Sequence, residues 1–145
     1  MNEPRPATVR PVEESEASGR VAAIFADDPQ VEIVLTGGTW QRANRALWGP
    51  AALATLATCR ADWAVPGACA IDARLGVSAP FEADAALKRA MVACARRTLV
   101  LADHSKLGST APFHVATWSQ VHAVVLDEPW AEGRKAGVPV IVASD

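Results

Sequence analysis

The sequence predicts an α/β domain built on an open, mostly parallel sheet with helices on both faces. Three observations carry this. Short β-branched or aliphatic runs alternate with helical patterns along most of the chain. The runs are nearly continuous rather than alternating, as expected of strands buried on both faces. Several end in short polar or glycine-containing loops, Gly37-Gly38, Gly67-Ala68-Cys69 and Asp103-His104-Ser105-Lys106. In such sheets the carboxyl ends of the strands are where ligands bind, so these loops outline a pocket.

Residues 1–18 hold prolines and glutamates and almost no large apolar side chains, and read as a disordered tail ahead of one domain over 19–145. Gly19 to Asp28 places Val21, Ile24 and Phe25 on one helical face, closed by Pro29. Val31 to Thr36 is a strand running into Gly37-Gly38. Gly49-Pro50 starts an alanine-rich helix to about Cys59, and Asp62 to Pro66 is the next strand, with Gly67 as its exit. Gly76 and Pro80 mark a long loop. Phe81 to Arg97 is the strongest helical pattern, with Glu82 and Asp84 in its first turn and Arg96-Arg97 in its last, matching the helix dipole at both ends. Thr98 to Ala102 and Val121 to Leu126 are strands separated by a polar excursion that includes Phe113 to Ala116. Pro129 to Lys135 is a short helix capped by Gly137, and Val138 to Ala143 is a final strand.

The totals fit one globular domain. A chain of 145 residues buries roughly two-thirds of its unfolded surface. Half its residues are hydrophobic and its net charge is -2, a balance that does not call for nucleic acid. The longest apolar runs fall far short of the roughly 20 residues that cross a bilayer, and the start lacks the order of a signal peptide, so a cytoplasmic protein is expected. Cys59, Cys69 and Cys94, with His104, His114 and His122, lack metal-ligand spacing, and no metal or cofactor is expected. Cys59 and Cys94 read as small packed helix residues, whereas Cys69 sits in a candidate pocket loop.

Four groups of residues are candidates for ligand binding. Gly37-Gly38 with the nearby Arg42 can hold an anion through amides and guanidinium, or form a tight turn beside a surface arginine. Asp103 and Lys106 are delivered together at the end of a buried strand, and can orient a sugar hydroxyl and neutralise a phosphate, or make a local ion pair in a solvated turn. Lys88 follows Asp84 at i+4, which gives a surface salt bridge or a pair aimed into the pocket. Asp72, in the loop after Gly67, suits a polyol or an ordinary turn.

Taken in order, LTGGTWQRANRALWGP, DWAVPGACAIDARLG, FEADAALKRAMVACARRTLVLADHSKLG and AVVLDEPW…GVPVIVA resemble the effector-sensing domain of the DeoR family of bacterial transcriptional regulators. The resemblance implies a fold like ribose-5-phosphate isomerase and the CoA transferases, and a domain that senses a phosphorylated sugar or related metabolite. It carries ligand roles onto Gly37, Gly38, Arg42, Asp84, Lys88, Asp103 and Lys106. Family regulators begin with a helix-turn-helix, where this chain has the acidic, proline-rich tail, so direct DNA contact is not expected of it. The first strand and Gly-Thr-Thr loop of the sensor domain also find no counterpart, and Cys69-Ala70 replaces the usual Ser-Gly. A sugar-phosphate isomerase on the same fold is the alternative from another class. Its catalytic glutamate precedes the helix lysine, where this chain has Leu87, so no catalytic residue is expected. A dimerisation remnant without ligand is the third reading, and homo-oligomers are expected from the sheet edge that the missing unit uncovers.

Overall fold

The computed structural model describes residues 34–42 and 46–143. The tail, the helix over Gly19 to Asp28 and the first half of the Val31–Thr36 strand lie outside these residues, and within them Val34 forms a single bridge while Leu35 and Thr36 have no regular structure.

A β-hairpin comes first, β1 (Thr39–Gln41) against β2 (Ala46–Trp48), with Thr39 opposite Trp48 and Gln41 opposite Ala46. Helix α1 (Pro50–Thr58) begins with proline in its first turn, where the missing N–H costs no helical bond. Strand β3 (Ala61–Ala64) follows, then β4 (Ala70–Asp72) and β5 (Gly76–Ala79), helix α2 (Glu82–Cys94) and β6 (Ala95–Leu101). Strands β7 (Phe113–Ala116) and β8 (Ala123–Leu126), helix α3 (Ala131–Lys135) and β9 (Val140–Val142) complete the chain.

Among the described residues the main sheet runs β3-β6-β8-β9, and each of its pairings is parallel. The α/β class with a parallel sheet is therefore as the sequence predicts. A second, antiparallel sheet has the order β4-β5-β7. The sequence reading treats its segments as a long loop and a polar excursion. Its strands are three or four residues long, and their apolar residues find partners only when β7 returns from beyond β6 to pair with β5. Short strands paired across such a gap leave no periodic signal in the chain.

The strongest predicted helix also ends earlier than its composition suggests. Ala95 is already extended, at φ -107 and ψ 151, and α2 has no basic residue in its last turn. Arg96 and Arg97 instead belong to β6, where Ala95 and Arg97 pair with Ala61 and Trp63. Arg97 lies over the Trp63 ring at 5.2 Å from its centroid. Backbone pairing with β3, together with this cation–π contact, outweighs the few tenths of a kcal/mol that a cation gains at a helix end.

One apolar cluster unites Ile71, Val77, Val92, Val100, Val115, Val124, Leu126 and Trp130, contributed by both sheets, by α2 and by the segment before α3. Trp118 and Trp130 act in this packing, whereas Trp40 and Trp63 are exposed. Trp118 and Trp130 meet edge to face at 5.8 Å. The Trp118 indole N–H donates to the carbonyls of Asp72 and Ala73, both at 3.1 Å, and so clips the β4–β5 turn to the core.

Candidate functional site

Of the three strand-exit loops that the sequence singles out, the Gly67 loop is paired through its backbone with the exit of β6, which leads into the Asp103–Lys106 loop. Leu101, the last residue of β6, donates its N–H to the Pro66 carbonyl at 3.0 Å and accepts from Ala68 N–H at 2.8 Å. The loop after β3 is thereby laid alongside the exit of β6. Between this loop and α2 opens a cleft of about 380 Å³, lined by Val65–Cys69, Ala46, Asp84, Leu87, Lys88 and Met91. It lies at the carboxyl edge of the parallel sheet, where open α/β sheets bind small molecules.

Helix α2 sets the polar wall of the cleft. Asp84 and Lys88 stand one turn apart, so both face the loop. The Lys88 ammonium donates to Asp84 Oδ2 at 2.7 Å and to Cys69 Sγ at 3.1 Å, and the Cys69 thiol reaches Asp84 Oδ2 at 3.4 Å. This is not the solvated surface pair that i+4 spacing ordinarily gives, because the two side chains are only 12% and 9% exposed. An ammonium has three donors, and two are engaged among the described residues. Leu87 and Met91 form an apolar wall that continues past Trp40 and Leu47.

Asp103 and Lys106 occupy a single 3-10 turn, His104–Lys106, directly after β6 and Ala102. Asp103 caps it by accepting from Ser105 N–H at 2.9 Å, and the Ser105 side chain first, with this backbone bond second, holds its carboxyl below the usual range. The Lys106 ammonium lies 3.0 Å from Ser105 Oγ and 3.8 Å from Asp103 Oδ2. The turn neighbours the cleft without lining it.

Asp127, at the end of β8, anchors this turn. Its carboxylate accepts the His104 backbone N–H and pairs with His104 Nδ1, both at 2.7 Å. The hydrogen bond and charge of Asp127, joined by Glu128, push the His104 imidazole up, and His104 in turn holds the Asp127 carboxyl down. No spacing in the sequence singles out Asp127. Its one signal is an acidic residue ending an apolar strand beside an exit loop. A histidine raised on folding stabilises fully below the unfolded value near 6.5, and that support is lost as pH climbs through the folded value. The depressed Asp127 adds support above roughly pH 4 that is lost on acidification. The tie is therefore strongest between these limits. Asp127→Asn is expected to return the His104 titration, followed by NMR of its ring protons, toward the ordinary value. An unchanged titration would disprove the tie.

The remaining candidates are placed elsewhere. Gly37 and Gly38 adopt left-handed φ of 77° and 100° on the way into β1, and a Cβ on Gly38 would meet the Trp48 carbonyl oxygen at 2.3 Å. Arg42 is exposed just after β1. The hairpin touches the cleft through Ala46. Asp72 turns its carboxylate onto the backbone N–H groups of Arg74 and Leu75, both at 2.8 Å, which lowers its pKa and makes it the closing residue of the β4–β5 turn. Asp72 borders a different cavity, next to Leu107 and Trp130. Of the predicted set, Gly67, Asp84 and Lys88 line the cleft, Asp103 and Lys106 follow the strand whose last residue pairs with the cleft loop, Gly37, Gly38 and Arg42 flank β1, and Asp72 stands apart. Cys69, which bonds to both Asp84 and Lys88, and the apolar Leu87 and Met91 are cleft contacts that the predicted set lacks. The position of Cys69 in the Gly67 loop was the only signal for it.

By architecture the chain is an α/β domain of the kind that holds small molecules where its strands end. It belongs to the DeoR family: the DeoR C terminal sensor domain matches residues 17–128. The HTH-type transcriptional repressor GlcR of Bacillus subtilis (strain 168) is 32% identical over 107 residues, 74% of this chain and 41% of GlcR. The HTH-type transcriptional repressor CsqR of Escherichia coli (strain K12) is 34% identical over 110 residues, 75% of this chain and 42% of CsqR. The glycerol-3-phosphate regulon repressor of Escherichia coli (strain K12) is 29% identical over 97 residues, 67% of this chain and 38% of that repressor. The chain thus spans about two-fifths of the length of these relatives, which are transcriptional regulators. No helix among the described residues is long and apolar enough to cross a membrane.

Proposed function

We propose that this sensor domain binds a phosphorylated sugar or a related metabolite, without turning it over, and reports its presence to a transcriptional regulator in the cytoplasm. The observation that carries the reading is the Lys88 ammonium. It is held in the cleft wall by Asp84 and Cys69, and these use two of its three donors among the described residues. Lys106, in the turn beside the cleft, supplies a second cation, and Asp103 orients it. Asp84 and the apolar wall of Leu87 and Met91 match the hydroxyl and carbon faces of a sugar. One relative is named as the repressor of a glycerol-3-phosphate regulon, and glycerol-3-phosphate is a phosphorylated polyol. By the resemblance to the sugar-phosphate isomerases, Leu87 stands at the position of their catalytic glutamate, and a leucine cannot act as a general base, which supports a non-catalytic site.

In this reading the ligand site makes no DNA contact itself. The exposed Val34, Leu35 and Trp40, continuous with the cleft through Leu87 and Met91, suit contact with a second copy of the chain.

A thermal-shift titration with sugar phosphates, the unphosphorylated sugars and inorganic phosphate tests the ligand. At 100 times its dissociation constant a ligand stabilises by about 2.7 kcal/mol, several degrees for a domain of this size. At least one phosphorylated sugar is expected to produce that rise, its parent sugar is not, and Lys106→Ala is expected to weaken it. A panel without any shift would overturn the reading.

A further inference from the structure

Cys59 and Cys94 are far apart in sequence, yet they close two helices that end side by side. Cys59 caps α1, its N–H donating to the Leu56 carbonyl at 3.1 Å. Cys94 is the last residue of α2. Each helix passes almost at once into a strand, and the first residues of those strands, Ala61 and Ala95, are registered partners in a parallel ladder. Parallel strands lie about 4.8 Å apart and rise about 3.3 Å per residue. Cys59 precedes the registered pair by two residues and Cys94 by one, which puts their Cα atoms about 6 Å apart, inside the span that a disulfide bridges. The helices are already in contact along an apolar groove of about 220 Å³ formed by Leu53, Leu56 and Ala57 of α1 with Ala90, Ala93 and Cys94 of α2. Both cysteines are reduced and partly exposed, so an oxidant can reach them.

We propose that Cys59 and Cys94 are a redox pair that closes into a reversible intrachain disulfide when the protein meets a peroxide. In the first step one thiolate attacks hydrogen peroxide, an S–O bond forms, the O–O bond breaks, and the leaving hydroxide takes a proton to become water. In the second step the other thiolate attacks the sulfenic sulfur, the S–S bond forms, the S–O bond breaks, and a second water leaves. Two thiols are oxidised and one peroxide is reduced, and a dithiol reductant reverses the change. Burial first, and the proximity of Cys59 second, push the Cys94 thiol up, in keeping with two sulfurs that share one environment. The pair is separate from the cleft. Asp84 and Cys94 are ten residues apart on α2, about 15 Å along the helix axis, and Cys69, the cleft thiol, is at the other end.

Peptide mapping of the unmodified protein tests the pairing, because tryptic cleavage puts each cysteine on its own peptide: Cys59 on 46–60, Cys69 on 61–74 and Cys94 on 90–96. After brief exposure to a few equivalents of hydrogen peroxide, peptides 46–60 and 90–96 are expected to be joined within a monomer. Peptide 61–74 is expected to remain unlinked, and dithiothreitol to release the pair. In Cys94→Ser no intrachain link to Cys59 is expected, while Cys69→Ser should form the link as the unmodified protein does. The proposal is overturned if Cys59 and Cys94 stay as thiols, proceed separately to sulfinic acid, or join Cys69 or a second chain.

Discussion

Lys88→Met is expected to destabilise the domain by about 3 kcal/mol, although it deletes no apolar contact. Methionine keeps the aliphatic length of the side chain but removes the ammonium that sits 2.7 Å from Asp84 Oδ2. Asp84 is only 6% exposed, so its carboxylate has little access to water and would keep, among the described residues, only the weak thiol of Cys69 as a partner. A buried charge stripped of its counter-charge costs far more than the ion pair contributed. The companion result identifies the cause. Adding Asp84→Leu to Lys88→Met removes the stranded charge, and the double variant is expected to recover most of the loss in urea denaturation. A double variant as unstable as the single one would show that Lys88 acts through packing of its stem. Because the double variant keeps the fold and lacks both polar groups of the cleft wall, it should also lose any ligand response, which separates binding from stability.

Gly76→Ala is expected to have an effect of similar size by a different route. Gly76 opens β5 at φ 88°, a conformation that costs an L-residue about 1–2 kcal/mol. A Cβ there would also sit 2.2 Å from the Ala116 carbonyl oxygen and 3.2 Å from Thr117 Cα, both main-chain atoms that cannot rotate away. Strand β7 must retreat from β5, opening the ladder in which Val77 pairs with Ala116. The combined cost is about 3 kcal/mol. Gly108→Ala is the control. Its φ of 67° is equally left-handed, but a Cβ would meet nothing within 4 Å, so only the conformational cost remains. Chemical denaturation of both variants should therefore separate them by about 1–2 kcal/mol, and equal losses would refute the steric account.

How far the site is legible without coordinates differs from residue to residue. Gly67, Asp103 and Lys106 are placed by local rules alone, since each follows a strand that its apolar run announces. Asp84 and Lys88 are legible as a pair, yet i+4 spacing is the same for a solvated salt bridge and for a cleft wall. What decides between them is the loop of Cys69 lying across them, and that loop is put there by the pairing of Pro66 and Ala68 with Leu101. Asp72 looks as suitable as any candidate until its carboxylate is seen closing its own turn.

The same division runs through the fold. Composition and the order of apolar runs suffice for an α/β domain and its parallel strands, because burial on both faces demands continuous apolar stretches and helices must join parallel strands, whereas the family is legible through four segments that resemble it in order. Tertiary pairing alone decides that α2 stops at Cys94, that β4, β5 and β7 form a second sheet, that Asp127 holds the Asp103–Lys106 turn, and that Cys59 and Cys94 end as neighbours. Each of these depends on a backbone or side-chain partner distant in sequence, and the local preferences they override are worth only tenths of a kcal/mol per residue.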